Sequence, residues 1–223
     1  LLPQQFYKRH KAFGLLIEKE IKNLEKLKNN PKKPFVLILG GNKIKDKVPL
    51  LKNFINQKLV NSILIGGAIA TPFSKTQSKE VDLSKIKGNS IDVAKEILEL
   101  AHKNNVKIFL PKDFVKINDE NVDIGSETIK IFDTEIKEAK TIFVNGTMGI
   151  YEKKESANGT KQILESVANS NAFSVIGGGD AVAATFLFNL NNKMKFLSTG
   201  GGATLTFLAD KNPLKDMLGL NSI

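Results

Sequence analysis

Two lysines, one aspartate and a series of glycines are the residues of this chain with the plainest chemistry. Lys43 and Lys47 follow a glycine pair in Gly40-Gly-Asn-Lys-Ile-Lys-Asp-Lys47, four residues apart. If a helix begins there, both reach one side near its N-terminus and form a clamp for a polyphosphate. Asp180 follows the triglycine Gly177-Gly-Gly179, where it would serve as a helix N-cap or hold magnesium through oxygen, the ligand hard cations prefer. Both readings of Asp180 stay open on local sequence. Glycines recur at Gly66-Gly67, Asn145-Gly146 and Gly200-Gly-Gly202. The triglycines run into helical sequence, which places free backbone N–H groups and the positive end of a helix dipole where an anion would bind.

Other chemistries are excluded by composition. The chain has no Cys and only His10 and His102, so it has no disulfide, thiolate nucleophile, Cys-ligated zinc or iron–sulfur cluster, and no His-rich metal site. Any metal must be held by oxygen. Neither GxxxxGK[ST] nor GxGxxG occurs, which argues against P-loop and ordinary dinucleotide-binding sites.

The elements that must position these residues follow from hydrophobic patterning. Short apolar runs start at Phe35, Ser62, Lys107, Thr141, Phe173 and Lys195, and each reads as a buried strand. Helical stretches lie between them near residues 46–59, 90–103, 127–139, 159–169, 181–190 and 203–209. Residues 12–29 form a further amphipathic helix, with apolar positions at Phe13, Leu16, Ile17, Ile21, Leu24 and Leu27, ended by Asn29-Asn-Pro31. Strands apolar on both faces that alternate with helices predict a doubly wound, mostly parallel α/β sheet of about six strands covered on both faces, a Rossmann-like three-layer fold. Every strand-ending glycine then lies on the carboxyl edge, where ligands bind in such sheets. The expected organisation is an N-terminal segment and helix over residues 1–30 and one α/β domain over 31–223.

The 223 residues carry 33 Lys and Arg against 23 Asp and Glu, for a formal charge of +10, which favours polyanions, phosphorylated metabolites or an acidic partner surface and does not choose among them. Arg9 is the sole arginine, so dedicated nucleic-acid reading is not expected. The Lys-Asn-Asn-Pro-Lys-Lys run at 28–33 reads as composition bias on a solvated face. No apolar run approaches the roughly 20 residues that span a bilayer, and with no signal segment and no Cys the expected compartment is the cytoplasm. The first Met is Met148 and the chain opens at Leu1, which predicts a fragment, a processed product or a subcloned domain.

Four motifs, Phe35-Val-Leu-Ile-Leu-Gly-Gly-Asn-Lys-Ile-Lys-Asp-Lys47, Val144-Asn-Gly-Thr-Met-Gly-Ile-Tyr-Glu152, Ile176-Gly-Gly-Gly-Asp180 and Leu197-Ser-Thr-Gly-Gly-Gly-Ala203, resemble in order the nucleotide-binding C-terminal half of phosphoglycerate kinase. The resemblance implies that Mg-ADP or Mg-ATP lies across the carboxyl edge and that a phosphoryl group passes between 1,3-bisphosphoglycerate and ADP. By motif, Lys43 would contact the transferring phosphoryl and Lys47 the nucleotide phosphates. Asn145 would lie beside the phosphates, Glu152 would bind the ribose hydroxyls and Asp180 would position Mg2+. Gly41, Gly66, Gly67 and Ile150 would line the adenine and ribose pocket. Gly178 and Gly179 would bind the cofactor ahead of Asp180, and the N–H groups of Gly200, Gly201 and Gly202 would meet the phosphoryl in flight. Such catalysis is positioning and charge stabilisation. The chain departs from the family pattern at Thr147, Ser126, Ala181 and Thr206, where Pro, Pro, Ser or Thr, and Glu are usual. The substrate-holding N-terminal domain of that family has no counterpart here, so helix 12–29 offers its apolar stripe either to that partner or to its own sheet. A diverged or truncated nucleotide-binding module without turnover is the alternative reading.

Overall fold

The structure, a computed structural model, describes residues 14–77 and 90–210. Its strands are β1 (Phe35–Leu39), β2 (Ser62–Ile65), β3 (Lys107–Phe109), β4 (Phe114–Ile117), β5 (Glu120–Ile124), β6 (Thr141–Asn145), β7 (Phe173–Gly177) and β8 (Phe196–Leu197). Its helices are α1 (Leu15–Lys28), α2 (Val48–Asn56), α3 (Ala70–Gln77), α4 (Ser90–Lys103), α5 (Ser126–Glu138), α6 (Asn158–Asn169), α7 (Gly179–Leu187) and α8 (Gly202–Ala209). Six strands form one all-parallel sheet in the order β3-β2-β1-β6-β7-β8, and β4 and β5 pair as a separate antiparallel hairpin. The doubly wound α/β expectation holds. Helix α3 and the hairpin were not predicted.

Alternation along the strands explains the layers. Phe35, Leu37 and Leu39 of β1 turn to one face with Phe143 and Val175, where α1, α2, α3, α4 and α8 cover them through Leu27, Phe54, Phe73, Ile97 and Phe207. Val36 and Ile38 turn to the other face with Ile142, Val144 and Ile176, covered by α5, α6 and α7 through Phe132, Ile163 and Ala184. Burying one such Leu, Ile or Phe stabilises the fold by about 1.5–3 kcal/mol. Thus the central strands β1, β2 and β6 are held from both sides, as their continuous apolar runs require.

Helix α1 packs one end of its stripe on its own sheet. Leu24 and Leu27 are buried in the sheet core, whereas Leu15, Leu16 and Ile17 at its start remain exposed. The helix ends where Asn30 takes a left-handed φ of 59° and Pro31 prevents continuation. Phe13, the first apolar position read for this helix, lies outside the described residues.

The sequence order reverses between β1 and β6, the central pair of the sheet. This switch point parts the connections leaving β1 and β6 and opens a crevice beyond their carboxyl ends.

Candidate functional site: the carboxyl edge of the sheet

A cavity of about 560 Å³ opens at that switch point. Gly41 and Gly67 come to it from the ends of β1 and β2, and Thr147 to Glu152 from the end of β6. The β4–β5 hairpin closes its far wall with Phe114 and residues 119–123, and Asp180 stands at its other end. Gly41, Gly67, Ile150, Glu152 and Asp180 therefore line one cavity. Gly66 is not a lining residue. A side chain there would meet Met148 Sδ at 2.4 Å, so this glycine is demanded by packing behind the wall.

The first glycines are locked to one another. Gly40 N–H donates to the Asn145 carbonyl (3.0 Å), Gly41 N–H to Thr147 (2.8 Å), Gly66 N–H to Leu39 (2.8 Å) and Gly67 N–H to Met148 (3.0 Å). Gly67 has a φ of +62°, and a Cβ on it would lie 2.7 Å from Gly41 N. The turns after β1, β2 and β6 thus stack backbone on backbone, and their N–H groups are satisfied by protein.

Of the later glycines, Gly179, Gly201 and Gly202 are open. Gly178, with a φ of +91°, is the N-cap of α7, so the N-cap reading of Asp180 falls: Asp180 sits one residue inside the helix, exposed, and makes no capping hydrogen bond. Nothing approaches a Cβ placed on Gly179, Gly201 or Gly202. Among the described residues the N–H groups of Gly179, Asp180, Gly201 and Gly202 find no protein acceptor. Two helix starts therefore present free donors and two positive dipole ends along one edge.

Between the two groups lies Lys47. It is 8% exposed, and its ammonium donates to Asn145 Oδ1 at 2.8 Å, while Asn145 Nδ2 donates to the Gly177 carbonyl at 3.0 Å. Burial pulls the Lys47 pKa below that of an ordinary lysine, opposed by the charges of Asp46 and Asp180. A buried ammonium with one neutral partner is an incomplete site for a cation, and an incoming anion completes it. Lys43 does not share this position: residues 45–47 make a single 3-10 turn, α2 starts only at Val48, and the Lys43 side chain is exposed.

Asp180 also bears on the metal. No cluster of three or more His, Cys, Asp or Glu exists among the described residues. A lone carboxylate suits magnesium that takes its remaining ligands from phosphate oxygens and water, as this ion commonly does. Burial and the neighbouring carboxylates of Glu152 and Asp180 raise the Tyr151 hydroxyl pKa, which marks this end of the cavity as acidic.

Several contributors escaped the sequence reading. Glu20 of α1 accepts from Thr199 N–H (2.6 Å), Thr199 Oγ1 (2.9 Å) and Ser198 Oγ (2.9 Å), so the first described helix anchors the loop that carries Gly200. Thr160 Oγ1 accepts from Met148 N–H (3.0 Å) and fixes the turn after β6. Asp123, 3% exposed in the hairpin, accepts from Gly159 N–H (2.6 Å) and Ile124 N–H (2.9 Å), and burial pushes its pKa up to about 6. Only the hairpin had a local signal, Asn118-Asp119 between two strand-like runs, and both residues take positive φ, 50° and 63°. Of the departures from the family motif, Ala181 faces the core at 1% exposure, Thr206 is exposed, and Ser126 opens α5. No described helix is long and apolar enough to cross a membrane.

A model of the family "Phosphoglycerate kinase" matches residues 3–211. The chain is 42% identical over 219 residues to the phosphoglycerate kinase of Finegoldia magna, covering 90% of this chain and 55% of that protein. It is 40% identical to that of Dictyoglomus turgidum, covering 89% and 54%. Among solved structures, phosphoglycerate kinase from Coxiella burnetii superposes with a TM-score of 0.80 at 34% identity, over 89% of this chain and 56% of that one. The chain thus spans about half the length of the curated relatives it matches.

Proposed function

The chain belongs to the phosphoglycerate kinase family, and from that premise we propose that it is the nucleotide-binding half of such an enzyme. It takes Mg-ADP or Mg-ATP at the carboxyl edge and serves reversible phosphoryl transfer between 1,3-bisphosphoglycerate and ADP, giving 3-phosphoglycerate and ATP. The observation that carries this reading is the buried Lys47 ammonium, hydrogen-bonded to Asn145 and set between the cavity and the open helix starts.

In this reading the base and ribose occupy the cavity, against the exposed face of Ile150 and with Glu152 accepting from the ribose hydroxyls. The phosphates run past Lys47 and Asn145 towards the Gly178-Gly179 helix start, where Asp180 would hold magnesium. When bound, the ion would neutralise charge between phosphate oxygens. The solvated Lys43 is free to follow the transferring group, and the N–H groups of Gly201 and Gly202, with Gly200 shaping the loop, face developing negative charge with fixed dipoles. The phosphoglycerate is held by an N-terminal domain that docks against the exposed Leu15, Leu16 and Ile17 at the start of α1, so turnover requires that domain. The division into residues 1–30 and 31–223 follows this docking, and the compartment is the cytoplasm.

The test is a calorimetric titration of the chain with ADP, with and without magnesium. Binding in the micromolar to sub-millimolar range, about −8 to −5 kcal/mol, is expected. Asp180→Ala should weaken Mg-ADP far more than metal-free ADP, and equal losses would remove Asp180 from the metal site. In a coupled assay of the chain joined to its N-terminal domain, Lys43→Ala should abolish turnover while ADP still binds. Activity that survives Lys43→Ala would remove its catalytic role, and binding without any turnover would favour the module reading.

A further inference from the structure

Asn29 to Lys32, part of the lysine and asparagine run at 28–33 and mostly solvated as expected, also line a second cavity at the opposite edge of the sheet. This cavity, of about 510 Å³, lies at the amino ends of β6, β7 and β8, where the end of α1 and its following loop close it. Lys26, Lys32, Lys140 and Lys195 stand around it with Asn30 and Asn171, and no Asp or Glu is among its lining residues. The ammoniums of Lys32, Lys140 and Lys195 have neither a hydrogen bond nor an ion pair among the described residues. The ion pairs among the described residues, Lys52–Glu96, Lys137–Asp133 and Lys161–Glu165, all lie elsewhere.

The frame of this cavity is rigid. Thr141 Oγ1 donates to the Lys32 carbonyl (2.7 Å), Lys140 N–H to the Pro34 carbonyl (2.8 Å) and Phe173 N–H to the Lys140 carbonyl (2.9 Å). Lys195 N–H donates to Ser174 Oγ (3.2 Å), and the Lys26 ammonium rests 4.8 Å from the Phe173 ring centroid. The four cations are therefore mounted on backbone that does not need to reorganise, which lowers the ordering cost of binding. Helices α1, α5 and α6 all end at this edge, and lysines near helix C-termini answer the negative dipole there. Three helix ends contribute about half a negative charge each, so four ammoniums leave an excess of roughly two and a half positive charges over what the dipoles need.

We infer that this amino-edge cavity is a binding site for a small, multiply phosphorylated anion, distinct from the nucleotide site and independent of its assignment. Its ligand is an oligophosphate chain or a small metabolite with two or more phosphate groups, because spaced ammoniums match several charges at once whereas a single phosphate meets only one or two of them. The asparagine amides add neutral donors to the same oxygens.

Inorganic tripolyphosphate is the probe, titrated into the full chain at about 0.15 M salt, where diffuse lysine attraction is screened, while amide NMR shifts are followed. The amides of Asn30, Lys140, Asn171 and Lys195 should move as a group that saturates separately from Gly179 and Gly201. The variant Lys32→Gln/Lys140→Gln/Lys195→Gln should weaken that phase at least about tenfold and leave the affinity for ADP unchanged. A control variant that removes the same charge elsewhere, Lys103→Gln/Lys116→Gln/Lys153→Gln, should lose less than about twofold, since isolated surface charges contribute little. Fructose 1,6-bisphosphate in place of tripolyphosphate separates the two sources: saturation by one and not the other identifies the ligand as metabolite or as phosphate chain. Equal losses in the two triple variants, or no shifts at these four amides, would overturn the inference. Failure of ADP binding would leave it standing.

Discussion

The glycines at the ends of β1, β2 and β6 and those at the ends of β7 and β8 lie on one edge of one sheet, yet they answer different demands. In the first group Gly40, Gly67 and Gly146 pack backbone against backbone, a Cβ at Gly40 lying 2.1 Å from the Thr147 carbonyl oxygen, and the N–H groups of Gly40, Gly41, Gly66 and Gly67 bond to protein. The second group divides: Gly177, Gly178 and Gly200 abut Phe143, Asn145 and Thr204, whereas Gly179, Gly201 and Gly202 face open space with free donors. Glycine in the first group is a condition of folding, whereas glycine at these last three positions leaves room for a ligand. A cluster of glycines in a sequence therefore does not reveal which of these it serves until the strands are in place.

The sharpest way to break this comparison is Gly40→Ala. Its methyl group has only main chain to push against, so the variant should lose about 3 kcal/mol or more, read as a lower urea midpoint. An unchanged midpoint would show that the locked group is not locked.

Lys47, between the two groups, tests the site without testing the fold. Lys47→Met keeps the stem and removes the buried charge, so stability should change by less than about 1 kcal/mol. Binding of Mg-ADP should weaken by about 2 kcal/mol, near thirtyfold, read by titration calorimetry.

Gly179→Ala sharpens the contrast from the open side. Alanine is the better helix former, so the melting temperature should hold or rise slightly. The added methyl intrudes where phosphate would approach, and Mg-ADP should bind about tenfold more weakly. A variant that loses stability and keeps binding would reverse the assignment.

The smallest effect concerns the hairpin wall. Asp123 titrates near 6 because burial disfavours its charge. The folded protein holds that proton more tightly than the unfolded chain does, so stability should fall as pH rises from about 4 through 6, by about 1 kcal/mol after allowance for solvent screening. Urea melts at pH 4.5 and 6.5 should show this loss in the parent and not in Asp123→Asn.

How much of this was legible depended on where each determinant resides. Runs such as Phe35–Leu39 and Thr141–Asn145 are apolar at every position because both faces are covered, and such runs identify central strands directly. Helix α3 has Pro72 in its first turn and a mixed sequence; it forms because Ile69 and Phe73 are buried against the sheet, a tertiary cause invisible to local patterning. The hairpin strands expose Lys116, Glu120 and Asn121, so no apolar run announces them. Lys43 and Lys47 looked alike in sequence and differ in structure because one 3-10 turn before α2 sends Lys47 inward. Glu20 had no signal, since its partners lie about 180 residues away.

That last distance has a consequence for how the protein comes into being. Glu20 holds the Thr199 loop, and Lys28 of the same helix donates to the Phe207 and Asp210 carbonyls at the end of α8, across 179 to 182 residues. Synthesis proceeds from the N-terminus at about 5–20 residues per second, so α1 emerges many seconds before the residues it must grip exist. Half of the phosphate-facing edge is then completed only after residues 199–210 have been made, and until that time the nascent chain carries α1 with these distant partners still missing.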